Sequence, residues 1–301
     1  MRRTSRRKTG AKKPKARPRK QAASTSRAYR GGWAVAGDAK RTVKDRVAAL
    51  EGLGRSICDD DDVLKGTLGL LRDTTAPIAV RLGALRALQA ASFRVVQWSR
   101  HRADYLSALR SVAADSDPEL RQRVLGLLAR EQDGYVQQRL LDGLRDPSKA
   151  LVPPEKALQL LSYDVHAEAY PVAREIARQS ANPAARREAL RLLGADAASA
   201  PVFEEILRNK GEPSELRRLA ASALHALAPQ TLQARARDIL LDDSENDDLK
   251  ATSLTALTTF GQDDVVRKDD ALQRQVDRLR TRSSSAKVKQ GARRFLSRYD
   301  R

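Results

Sequence analysis

A pattern that recurs in phase limits this chain more than any other feature. The order apolar, cation, two free positions, small, two free positions, small or apolar, apolar is met as Val80-Arg81, Ala84, Ala87, Leu88 and again as Leu120-Arg121, Val124, Leu127, Leu128. It returns as Ala185-Arg186 with Ala189, Leu192 and Leu193, and as Leu216-Arg217 with Ala220, Ala223 and Leu224. Leu249-Lys250 leads to Ser253, Ala256 and Leu257, and Val288-Lys289 to Ala292, Phe295 and Leu296. A copy without the cation runs through Ala157, Leu160 and Leu161. Counted from Pro153 for that copy, the seven starts fall at 80, 120, 153, 185, 216, 249 and 288, separated by 40, 33, 32, 31, 33 and 39 residues.

Offsets of 0, 4, 7 and 8 place these side chains on one stripe of a helix, and about 20 residues between stripes leave room for one further helix and two turns. Each unit is therefore predicted to be a helical hairpin, an architecture in which every unit buries its apolar face against its neighbours. The intervening helices are expected at Val63–Leu71, Tyr105–Ala113, Tyr135–Leu144, Ala169–Ala177, Val202–Leu207, Leu232–Leu241 and Ala271–Leu279. A further helix near Val43–Leu53 is expected to cap the first unit. Asp117-Pro118 and Asn182-Pro183 mark helix starts: a capping side chain precedes a proline whose missing N–H is no loss in the first turn. Pro77, Pro154 and Pro213 stand in similar places. With 41% hydrophobic but only 4% aromatic residues, small aliphatic side chains must fill this core at close helix contacts.

The acid or amide, then proline, then Val/Leu-Arg followed by Ala, Ala and Leu resembles the HEAT repeat, above all its short bacterial form, over about residues 60–298. The resemblance implies an all-α fold, a right-handed α-solenoid of about seven HEAT-like hairpins. It also implies that the recurring cation bonds a turn acid of a neighbouring unit, with Asp117, Asn182, Glu212 and Asp247 near the right places. A second reading makes the same cations, Arg81, Arg121, Arg186, Arg217, Lys250 and Lys289, a basic ladder that follows a phosphate backbone, but a nearly neutral body favours the first. Arg86, Arg123, Arg187, Arg191 and Arg218 would widen such a groove.

The formal charge of +19 is unevenly spread. Residues 1–30 hold 13 Lys and Arg, and no acid precedes Asp38. Residues 265–301 hold 12 cations against 4 acids, or +8. The remainder, 57 − 25 = 32 cations against 38 − 4 = 34 acids, is −2. Residues 1–37 lack the apolar side chains that would offset ordering entropy and are read as a disordered basic tail ahead of a solenoid over 38–301. Arg2, Arg3, Arg6, Arg7, Lys8, Lys12, Lys13, Lys15, Arg17, Arg19 and Lys20 are its candidate nucleic-acid contacts, because a cation that neutralises a phosphate releases a counterion without needing a fold. Lys12 to Lys20 also resembles a nuclear import signal, which applies to a eukaryotic host.

Other features carry little chemistry. Cys58 stands alone, so neither an intramolecular disulfide nor a cysteine zinc site is expected, which fits a reducing compartment. Asp59 to Asp62 reads as acids at a helix start, and Asp242 to Asp248 as a turn, since a calcium loop would need glycine where Asp247 stands. His101, His166 and His225 lie in different repeats, with no metal or general-base spacing. Alkylpurine DNA glycosylases built from such repeats use aromatics with a carboxylate. Here Trp98 is followed by Asp104 six positions on, which lies on another helix face. Bilin-lyase-like relatives share Val-Arg-x-x-Ala, a motif that is scaffold alone.

The longest stretch without charged residues, Leu219 to Ala234, has 16 residues and contains His225 and Pro229, short of a membrane span. Arg2-Arg3 and Arg6-Arg7 lack the apolar segment of a twin-arginine signal. These readings add up to a cytoplasmic, non-enzymatic adaptor without cofactor or metal: a scaffold whose surface binds a protein partner, while the tail holds DNA, RNA or another polyanion. The alternative is direct nucleic-acid binding by the solenoid itself.

Overall fold

The computed structural model describes residues 31–164 and 167–299. It is all-α, and no strand occurs among the described residues. Two compact units divide between Val124 and Leu125.

The first unit begins with helical backbone over 31–37 (α1), followed by α2 (Val43–Leu53), α3 (Asp61–Arg72) and α4 (Ile78–Ser92). A short helix, α5 (Val95–Trp98), precedes α6 (Arg102–Ser111), and the division falls inside α7 (Pro118–Arg130). α3 and α4 form the hairpin, with α2 against α4 and α6 against α3. Helix α2 has the bounds expected from sequence. The basic tail, in contrast, does not extend to residue 37. Ala36 is fully buried, and its carbonyl accepts from Arg46 Nε at 2.9 Å. The Trp33 indole lies so close over Gly66 that a Cβ built there would meet the ring at 2.1 Å. One aromatic side chain seated on a glycine thus anchors a segment that composition alone assigns to the tail.

The second unit continues with α8 (Gly134–Arg145), α9 (Pro154–Leu161), α10 (Tyr170–Gln179), α11 (Pro183–Leu193), α12 (Ala200–Arg208) and α13 (Ser214–Leu227). It closes with α14 (Pro229–Leu241), α15 (Asp247–Phe260), α16 (Asp263–Lys268), α17 (Asp270–Arg282) and α18 (Ala286–Tyr299). Hairpins α10–α11, α12–α13, α14–α15 and α17–α18 stack so that first helices meet first helices and second helices meet second helices: α9, α11, α13, α15 and α18 pack in succession. This is the solenoid order within the unit. The repeated stripe supplies the core, with Ala185, Ala189, Leu193, Ala220, Leu224, Ala256, Ala292 and Phe295 all fully or almost fully buried.

Helix starts follow local chemistry. Asp117 accepts from Leu120 N at 2.8 Å, and Asn182 accepts from Ala184 N and Ala185 N. Asp60 caps α3, with Asp61 and Asp62 in its first turn, so this acidic run serves a helix N-terminus. Residues 242–246 make the turn between α14 and α15, and Asn246 caps the latter. The two long repeat spacings have a visible cause: α5 lies between α4 and α6, and α16 between α15 and α17.

Candidate functional site

Three of the recurring cations share one inward-facing geometry. On α4, Arg81 Nε donates to Leu71 O at 3.1 Å, and its Nη2 pairs with Asp115; both side chains are 5% exposed. On α11, Arg186 donates to Ala177 O and to Glu212 Oε1, each at 2.8 Å. On α13, Arg217 donates to Leu207 O at 2.9 Å and holds both oxygens of Glu245 at 2.9 and 3.0 Å. One guanidinium therefore does two jobs. It satisfies a carbonyl at the end of the preceding helix, which no intrahelical N–H can reach, and it clamps an acid in the turn of the following hairpin.

The remaining members depart from this geometry. Arg121 Nη1 donates to Asp115 O at 2.5 Å and to Ser116 O at 3.4 Å. Lys250 is 4% exposed and its Nζ donates to Asp243 O at 3.0 Å, while Gln275 of the next hairpin donates to Asp243 Oδ1 at 2.8 Å. In the copy that lacks the cation the polarity reverses, and Asn182 Nδ2 donates to Glu155 at 3.0 Å. Lys289 is half-buried, and no side-chain partner is seen for it among the described residues. The eleven tail cations from Arg2 to Lys20, and His166, lie outside the described residues.

The clamped acids differ in part from those expected. Glu212 is one, but Asp115 and Glu245 stand where Asp117 and Asp247 were anticipated, two residues nearer the chain start. The physical reason is that Asp117 and the residues at 246–248 are occupied in capping and charging the helix start. Burial works against the Asp115 carboxylate, but the Arg81 bond and the Asp117 amide outweigh it and hold its pKa below the ordinary value. Asp269 is held low chiefly by its bond from Arg237.

Outer cations are mostly matched as well. Arg86 faces Glu51, Arg123 faces Glu119, Arg187 faces Glu215, and Arg191 faces Glu188. Arg72, Arg145 and Arg208 occupy the last turns of α3, α8 and α12, where a cation complements the helix dipole. A different arrangement occurs along α13, α15 and α18. There a groove of about 410 Å³ is bordered by Arg218, Lys287 and Arg294, with Gln290 beside them. Its floor is a run of threonines on α15, Thr252, Thr255, Thr258 and Thr259, together with Ala251 and Gly291. Lys287 reaches Asp248 at 3.3 Å. Arg218 and Arg294 are exposed, and neither joins an ion pair among the described residues. Arg218 is among the cations expected from sequence; Lys287, Arg294 and the threonines are not, although the spacing 252, 255, 259 puts polar side chains on one helical face.

The other singled-out residues pack into the fold. Trp98 is 6% exposed and meets Tyr105 edge to face at 5.0 Å, so no indole face is open for stacking on a base. His101 is buried beside Arg100 and Asp61, and His225 stands edge-on to Phe260. Cys58 is buried, its Sγ near Ala91 O at 3.7 Å, and burial raises its thiol pKa. Among the described residues no group of three or more His, Cys, Asp or Glu could hold a metal ion, and no helix is long and apolar enough to cross a membrane.

No family model and no curated protein matches the chain. Among solved structures it is similar to human deoxyhypusine hydroxylase, at 14% identity and a TM-score of 0.26, over 93% of this chain and 98% of that one. The expectation of a non-enzymatic chain is corrected here, since that protein is an enzyme. A likeness of this size carries no statement about substrate or reaction.

Proposed function

We propose that the protein is a HEAT-repeat scaffold whose helical-hairpin surface binds a protein partner, while its basic N-terminal segment attaches it to nucleic acid or another polyanion in the cytoplasm. One observation carries this reading. Of the six cations that recur with the repeat, Arg81, Arg186 and Arg217 are spent on carbonyls and turn acids inside the stack and Arg121 and Lys250 on turn carbonyls, which leaves no continuous ladder open to a ligand. Residues 31–264, at −2, are left to contact a neutral or mixed protein surface, and the 13 cations of residues 1–30 remain for phosphates. In bacteria this reading puts the protein beside the nucleoid, and in a eukaryote the Lys12 to Lys20 segment would serve nuclear import.

The test is a binding titration of the full chain against duplex DNA, repeated with the eleven cations from Arg2 to Lys20 replaced by glutamine. Affinity is expected to collapse in the replaced chain. For the native chain, log affinity should fall with log salt at a slope no steeper than roughly −12, the limit when all 13 cations meet duplex phosphates. Equal retention by both chains overturns the assignment to the tail.

A further inference from the structure

The groove of the second unit has a chemistry that the tail lacks. Each of its four threonines donates its hydroxyl proton within α15: Thr252 to Asp248 O at 2.9 Å, Thr255 to Ala251 O at 3.0 Å, Thr258 to Leu254 O at 2.7 Å and Thr259 to Thr255 O at 2.9 Å. A hydroxyl whose single proton is committed retains only lone pairs, so the floor offers acceptors and methyl groups and no donors. The donors stand on the border, at Arg218, Gln290, Lys287 and Arg294, and the one carboxylate of the lining, Asp248, is reached by Lys287 at 3.3 Å, which leaves Arg218 and Arg294 for a ligand. Gly291 keeps the floor shallow and α18 close to α15, since a Cβ there would meet Leu254 at 3.2 Å.

A ligand suited to this surface carries anionic oxygens for the border and hydroxyl donors for the floor. An acidic peptide of Asp and Glu offers carboxylates and backbone N–H donors but no hydroxyl beside each charge. A DNA backbone likewise has phosphates but no sugar hydroxyl. RNA has both, because the ribose 2′-OH donates as well as accepts and is the group by which RNA is told from DNA. The second helices that precede the groove show the contrast: Arg187 and Arg191 of α11 are engaged by Glu215 and Glu188, whereas Arg218 and Arg294 have no ion-pair partner among the described residues.

We infer that the groove between α15 and α18, closed on one side by Arg218 of α13, binds the sugar–phosphate backbone of RNA. Phosphates meet Arg218 and Arg294, and 2′-hydroxyls donate to the oxygens of Thr252, Thr255 and Thr259. The site is separate from the tail and does not depend on it.

The experiment takes the full chain with the eleven tail cations replaced by glutamine and titrates it with labelled oligouridylate and oligodeoxyuridylate of equal length. RNA is expected to bind at least tenfold tighter than DNA. R218E with R294E, two exposed positions whose change should leave the circular dichroism and melting temperature intact, should weaken RNA binding at least tenfold. T252V/T255V/T259V keeps side-chain shape but removes the acceptors, and should bring the RNA-to-DNA ratio close to one while leaving DNA affinity unchanged. Unaltered RNA affinity in the charge-reversed variant overturns the proposal. So does equal affinity for RNA and DNA before the threonines are changed, which would indicate phosphate attraction alone, and so does competition by polyglutamate as strong as by RNA, which would indicate an acidic protein. If the tail-replaced chain binds RNA as tightly as the native chain, the tail assignment fails while the groove comparison still stands; if it binds no RNA, the groove fails.

Discussion

Arg217 and Arg218 follow one another on α13, and the 100° between successive helical positions sends them to different environments. Arg217, 7% exposed, spans the seam between hairpins from Leu207 O to Glu245. Arg218 is exposed at the border of the groove. The same side chain is structural in one place and available to a ligand in the other. What decides is whether the turn of the next hairpin supplies a carboxylate. Formal charge is thus a poor guide to a binding face in this fold until the seam partners have been subtracted.

The sharpest way to break this contrast is Arg217→Ala. Its partner Glu245 is 3% exposed at the side chain and would be left as an unpaired buried charge, a situation that costs about 3–5 kcal/mol. Urea unfolding should show a midpoint lowered accordingly, and a loss below about 1 kcal/mol would mean that the seam cations do not hold the hairpins together. Arg186→Ala should cost less, roughly 1–3 kcal/mol, because both it and Glu212 are 14% exposed and water can replace part of what is lost.

Acid sharpens the comparison from the other partner. The pKa values of Asp115 and Asp269 are depressed in the folded state, so their stabilisation is present above the unfolded carboxylate value, near 4, and is lost as pH falls through the lower folded values. Unfolding free energy measured from pH 6 downward should therefore decline below about pH 4. A flat profile there would remove the electrostatic part of the seam. The smallest effect is expected for Arg218→Ala, within about 0.5 kcal/mol of the native stability. A large loss would show that Arg218 has a structural role like that of its neighbour.

Much of the stack was legible because burial imposes a period on sequence: the stripe from Val80 to Leu88 and its copies mark the second helices, and Val43–Leu53 is a helix with those bounds. Insertions α5 and α16 were visible only as long spacings, since helices of 4 and 6 residues carry too few turns to show a period. Helix α1 escaped notice because its anchor, Trp33 on Gly66, joins residues 33 positions apart, and no local pattern announces such a fit. The turn acids were misplaced by two residues at Asp115 and Glu245, because capping and clamping draw on the same residue types and sequence does not say which carboxylate does which. The groove was missed for a related reason. Threonines on a helix read as indifferent helix formers until their protons are seen to be committed at Asp248, Ala251 and Leu254.

The division between seam cations and ligand-facing cations is tested by the salt dependence of RNA affinity in three full chains: native, tail-replaced, and tail-replaced with R218E and R294E. The slope of log affinity against log salt is expected to become shallower at each step, because each step removes cations that meet phosphates while the seam cations stay in place. A slope unchanged across all three chains would contradict that division, and would return the binding charge to the repeat cations that the fold holds inside.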